Sequence, residues 1–163
     1  MDIPYRAFDT KEETYAYLLT QARAVLAETD ETVSALANLS SALYLLLPRL
    51  NWAGFYLMKD GALILGPFQG KPAVSRIALG SGVCGTAAQL GEAQVVQDVH
   101  ACPNHIACDL SSRSEIVLPI RHGDGLFGVL DIDSPEKGRF DEKDLAGLSD
   151  VVRTLEMWLG DAR

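Results

Sequence analysis

No apolar run in this 163-residue chain approaches the roughly 18 residues that a membrane-spanning helix requires. The first residues, MDIPYRAFDTKEETY, also lack a basic region followed by an apolar stretch, and they are not an Arg-rich, acid-poor transit segment. The expectation is a cytoplasmic protein without membrane contacts. Basic residues are scarce, 14 against 22 acidic ones, and the net charge of -8 leaves no Lys/Arg stripe for nucleic acid or anionic lipid. A small ligand, and a cationic one, suits that balance better. Cysteines number only three, an odd count that argues against a disulfide framework in a reducing compartment. A chain of this length is expected to form one domain over 1–163 and to bury roughly two thirds of its extended-chain surface. Such a core needs no disulfide or metal staple, so any chemistry of the cysteines is more than structural repair.

What is present reads as helices around a set of strands. DTKEETYAYLLTQARAVLAE offers Asp9 and Thr10 as N-caps, then apolar residues at helical spacing through Tyr15, Leu18, Leu19, Ala22, Val25 and Leu26. Val33 to Leu47 repeats the period until Pro48, which stops a helix at or before Leu47. From Trp52 onward WAGFYLM, ALILGPF, VSRIAL, AQVVQDV, SEIVLPIRH and GLFGVLDID are short, apolar or alternating, and parted by Gly, Asp or Pro turns. GSGVCGTAAQLG breaks them with a short helix, and DEKDLAGLSDVVRTLEMWLG closes the chain with a long one. The fold class expected is α+β: an antiparallel sheet of about six strands flanked by helices from both chain ends.

Two regions carry chemistry. In DVHACPNHIACD, Cys102, His105 and Cys108 are spaced C-x2-H-x2-C, and Cys84 would complete a zinc-tolerated set of three thiols and one imidazole. Against zinc, Pro103 lies inside the loop and Cys84 in a helical segment. The plain alternative is that cysteines are small buried apolar residues, which suits Cys84 between Val83 and Gly85. It suits Cys108 less well: His105 and Asp109 stand near it, and an imidazolium raises the thiolate fraction of a neighbouring thiol. Cys108 is the best candidate for a reactive sulfur.

The other region is SEIVLPIRHGDGLFGVLDIDSP, a hairpin around GDG. A three-residue loop centred on Asp124 places Glu115 opposite Asp133 and Val117 opposite Asp131, whereas a two-residue loop shifts the register and takes Glu115 out of the group. Alternation puts Asp131 and Asp133 on one face in either case. That face is either solvated or a cluster of carboxylates too crowded to ionise fully, one keeping a proton while the others bind a cation. An ammonium group is the natural guest, with Mg2+ or Ca2+ the alternative. Trp52 and Tyr56 share a strand face, as core residues or as an aromatic wall for a small ligand.

NWAGFYL, LGPFQGKPA, GVCGTA, DVH followed by HIACD, SEIVLP and GVLDIDSP, in this order, closely resemble the free methionine-(R)-sulfoxide reductases, a catalytic branch of the GAF domain fold. The resemblance runs from about Asn51 to Asp144. It implies that Cys108 attacks the sulfoxide sulfur of free methionine sulfoxide and that Cys84 is a thiol able to form the disulfide. It further implies that Glu115, Asp131 and Asp133 bind substrate and handle protons, and that Trp52 and Tyr56 belong to an aromatic pocket. No bound cofactor is expected, the reducing equivalents coming from thioredoxin. Members of the fold often dimerise through their terminal helices. The R preference is implied by the resemblance alone.

One departure matters. The family usually has a cysteine at the end of KPAC, often the favoured resolving thiol, and this chain has Val74 there. Cys102 stands where an aromatic residue is common, and Asn104 replaces a usual glycine. Resolution is thus left to Cys84, with Cys102 as the alternative. Two other functions compete: a non-catalytic GAF sensor of a small ligand such as a cyclic nucleotide, whose phosphate the acidic hairpin would repel, and a zinc-binding structural module.

Overall fold

A computed structural model describes residues 8–101 and 111–161. Helices α1 (Lys11–Ala27) and α2 (Thr32–Leu46) precede strands β1 (Trp52–Lys59), β2 (Ala62–Gly70) and β3 (Arg76–Ala78). Helix α3 (Gly82–Leu90), strand β4 (Gln94–Val96), a 3-10 turn at Val99–Ala101, strands β5 (Ser114–His122) and β6 (Gly125–Ser134), and helix α4 (Glu142–Asp161) complete the order. Thr10 rather than Asp9 caps α1, its hydroxyl accepting from the Glu13 amide at 3.2 Å, and α2 ends at Leu46 ahead of Pro48. The six strands form one antiparallel sheet in the order β3-β2-β1-β6-β5-β4, as the alternating segments predict. The two edge strands are only three residues long, which limits the row of unpaired backbone groups that an edge exposes. No helix among the described residues is long and apolar enough to cross a membrane.

Strand alternation sorts the sheet into two faces. Ala53, Phe55, Ile116, Leu118, Ile120, Leu130 and Ile132 point to the larger core, packed under α1, α2 and α4. Trp52, Tyr56, Val117 and Val129 point the other way, where α3 brings Val83, Cys84, Ala87 and Ala88 against them.

The hairpin follows neither of the two simple alternatives. The β5–β6 turn has two residues, Gly123 and Asp124, with His122 paired to Gly125. Gly123 has a φ of 57°, the positive value a two-residue hairpin loop needs at its first central position. That turn alone would take Glu115 out of line with Asp133. An irregularity between Ile120 and Arg121, opposite Phe127, moves the pairing by one residue and restores Glu115↔Asp133 and Val117↔Asp131.

A buried ionic centre locks the helical layer. Asp144 of α4, fully buried, accepts from Tyr15 Oη of α1 at 2.8 Å, from Arg139 Nη1 at 2.8 Å and from the Asp141 amide at 2.9 Å, and it pairs with Lys11. Arg139 is itself buried and reaches the Pro48 carbonyl at the end of α2. Removing one member leaves a buried charge uncompensated. Asp144→Asn is therefore expected to lower unfolding stability by about 3–5 kcal/mol in urea titrations. A loss under about 1 kcal/mol would show that the centre contributes no more than a surface pair.

Candidate active site

Six side chains singled out in the sequence meet on the sheet face under α3. β1 lies beside β6 with Trp52↔Asp133 and Gly54↔Asp131, while β5 on the other side contributes Glu115↔Asp133 and Val117↔Asp131. Asp133 thus sits between Trp52 and Glu115, and Asp131 between Gly54 and Val117. Cys84, in the first turn of α3, comes down onto them. All are buried: Glu115 is 5%, Asp131 2%, Asp133 4% and Cys84 4% exposed, which excludes the solvated-face alternative for the acids.

Cys84 Sγ lies 3.9 Å from Glu115 Oε1 with the thiol as donor, and ligand atoms of Cys84, Glu115 and Asp131 all fall within 4.8 Å of one another. Burial raises the Asp131 carboxyl from 3.8 to about 6, while hydrogen bonds with Cys84 and Glu115 oppose that rise. Asp131 therefore keeps its proton to a higher pH than a solvated aspartate does. The second oxygen of Asp131, Oδ1, is buried and accepts no hydrogen bond among the described residues. Burial first, then the charges of Asp131 and Glu115, push the Cys84 thiol well above its ordinary range. Cys84 is therefore a neutral thiol at rest and unsuited to attack first.

The cluster also bears on metals. Among the described residues, Cys84, Glu115 and Asp131 are the one set of donors close enough to share an ion. Hard Mg2+ or Ca2+ prefers oxygen donors, and the thiol of Cys84 is a poor ligand for either. The zinc set drawn from the sequence falls mostly outside the described residues, which include Cys84 but not Cys102, His105 or Cys108; Asn104 and Asp109 lie outside them as well.

An aromatic wall stands beside the acids. Trp52 stacks on Tyr56 with centroids 5.9 Å apart and on Phe68 of β2 at 5.2 Å. Gly54 makes this possible, because a Cβ there would collide with Phe68 and with the Trp52 ring. The polar ends of the rings hold down the KPAV segment: Trp52 Nε1 donates to the Lys71 carbonyl at 3.2 Å and Tyr56 Oη to the Val74 carbonyl at 2.9 Å. Val74 packs against this smaller core. Phe68 and Gly54 escape a sequence reading confined to polar and paired aromatic residues, although Phe68 in LGPFQG is the visible signal. Asn51 escapes it too. Its amide donates to the Asp133 carbonyl at 3.1 Å, and its Nδ2 to Ser112 Oγ at 2.9 Å and Ser111 Oγ at 3.3 Å.

The GAF domain family model matches residues 19–157. The chain is 53% identical to Protein YtsP of Bacillus subtilis, the match covering 90% of this chain and 91% of that one. It is 49% identical to the free methionine-R-sulfoxide reductase of Escherichia coli, covering 90% of this chain and 88% of the relative. The crystal structure of the free methionine-R-sulfoxide reductase of Neisseria meningitidis, in complex with its substrate, superposes with a TM-score of 0.92 at 39% identity, covering 99% of this chain and 96% of that one. Fold, family model and relatives agree, and the chain belongs to the GAF domain family and, within it, to the free methionine-R-sulfoxide reductases.

Proposed function

We propose that this protein reduces free L-methionine (R)-S-oxide to L-methionine with Cys108 as nucleophile and with Glu115, Asp131 and Asp133 as its proton-handling and substrate-binding acids. The observation that carries this reading is the buried carboxylate cluster beside the Trp52 and Tyr56 wall, with Asp131 held at about 6. A carboxyl poised there holds a proton often enough to donate it and loses it readily. The Cys108 thiolate attacks the sulfoxide sulfur, a protonated carboxyl among Glu115, Asp131 and Asp133 donates to the sulfoxide oxygen, and that oxygen is transferred as hydroxyl to Cys108. Methionine sulfur gains two electrons and Cys108 loses two, becoming a sulfenic acid.

Cys84 then condenses with the sulfenic acid to a disulfide, which a thioredoxin-type dithiol reduces by exchange. Cys102 is the alternative resolving thiol. The remaining negative charge of the cluster binds the substrate ammonium group, and a residue within a peptide has no such cation, which accounts for a preference for the free amino acid. The aromatic wall receives the thioether end. The scheme invokes no bound cofactor or metal, a cytoplasmic setting supplies the dithiol, and the terminal helices are the proposed dimer contact. The acidic site disfavours the phosphate of a cyclic nucleotide, which weighs against the sensor reading.

Cys108→Ser is expected to abolish methionine formation even in a single turnover with reduced protein; methionine appearing at the normal rate would misplace the nucleophile. Cys84→Ser is expected to complete one turnover and then stall in the thioredoxin-coupled NADPH assay, and an unchanged steady-state rate would move resolution to Cys102. The raised acidity constant of Asp131 also has a stability consequence. The native state binds its proton more tightly than the unfolded chain, so the stabilising contribution is complete below about pH 4 and is lost as pH rises through about 6. Above pH 6 the buried charge costs stability on the order of 3 kcal/mol. Asp131→Asn should therefore unfold at higher urea than wild type at pH 7.5 and lose that advantage by pH 4.5; equal midpoints at pH 7.5 would contradict the shift.

A further inference from the structure

The first half-reaction leaves a chemical difficulty for the second. The attacking group must be a sulfur that has given up its proton, yet Cys84 lies 96% out of solvent among carboxylates that oppose its ionisation. Water has little access to that proton. The group placed to take it is the carboxylate toward which the thiol is aimed, Glu115 Oε1 at 3.9 Å, with a carboxylate oxygen of Asp131 within 4.8 Å of both.

We infer that the Glu115–Asp131 carboxylate pair is the general base of the resolving step, Glu115 Oε1 removing the Cys84 proton as Sγ attacks the oxidised Cys108 and passing it to the departing hydroxide. The inference rests on the reading of Cys108 and Cys84 above. The balance closes within the site. The Cys84 S–H bond and the Cys108 S–O bond break, an S–S bond forms, and hydroxide plus the transferred proton leave as water. Cys84 sulfur is oxidised, the sulfenic sulfur of Cys108 is reduced to the disulfide level, and the carboxylate pair ends as it began. One pair of carboxyl groups thus serves as acid when the sulfoxide oxygen needs a proton and as base when the thiol must lose one. The same negative charge that keeps Cys84 protonated, and out of competition with Cys108, supplies the acceptor for its proton.

The test separates the two half-reactions. With Cys102→Ser as background, Cys84 is the sole partner thiol, and one equivalent of hydrogen peroxide forms the sulfenic acid without passing through the sulfoxide step. Disulfide closure is followed by quenched intact-mass measurement and by dimedone trapping of the sulfenic acid. Glu115→Gln is expected to accumulate the trappable sulfenic acid and to close about 100-fold more slowly, the scale of a lost general base. Asp131→Asn, which keeps Glu115, is expected to slow closure less than Glu115→Gln does. Closure at the background rate in Glu115→Gln overturns the inference alone. A background protein that turns free methionine sulfoxide into methionine but never forms the Cys84 disulfide overturns the inference and the assignment of Cys84. Absence of methionine formation by the wild-type chain overturns the functional reading itself.

Discussion

Burial of carboxylates on one face of β5 and β6 is the constraint on which the rest of the site depends. Glu115 and Asp133 lie side by side, Asp131 follows one pleat further along, and all three are 5% exposed or less. No lysine or arginine is among the groups that set the proton affinity of Asp131, which is governed by burial, Cys84 and Glu115. Asp144 provides the contrast within the same molecule. It is equally buried, but Arg139, Lys11 and Tyr15 satisfy it, and its role is to join α1 to α4. A buried carboxylate with cationic partners fastens the fold, and one without them is a place where a proton or a cationic substrate is favoured.

Most of the fold was legible because it rests on periodicity. The alternation of LDID put Asp131 and Asp133 on one face and the spacing of Trp52 and Tyr56 put both rings on one face, and the β1–β6 pairing makes the two faces the same. The register of the hairpin was not legible in full. Loop length alone gave two answers, and the structure combines a two-residue turn with a bulge at Ile120 and Arg121 so that Glu115 stays with the acids. A bulge leaves no compositional mark strong enough to be read locally; the burial of one face selects the register. Phe68, Gly54 and Asn51 were missed for a related reason. Each acts through a neighbour on a different strand or segment, and such adjacency exists only after the sheet has formed.

The cysteines were read by type and are reinterpreted by environment. Cys84 looked like a small buried apolar residue, and it is buried, but its neighbours are acids and its thiol is correspondingly hard to ionise. That is the wrong environment for a leading nucleophile and a serviceable one for a thiol that must wait. Val74, where the family resemblance led to the expectation of a cysteine, fills the same smaller core with a methyl-rich side chain, its carbonyl held by Tyr56. The valine keeps the packing without a thiol, so in the proposed scheme resolution falls to Cys84 or Cys102.

The central claim is that Asp131 on this acidic face keeps its proton up to about pH 6, in the company of Cys84, Glu115 and Asp133. A carbon-13 NMR titration of aspartate-labelled reduced protein, with Asp131 assigned through Asp131→Asn, measures it directly. The account predicts an Asp131 midpoint near pH 6. A midpoint near 4, the value of an ordinary solvated aspartate, would contradict it.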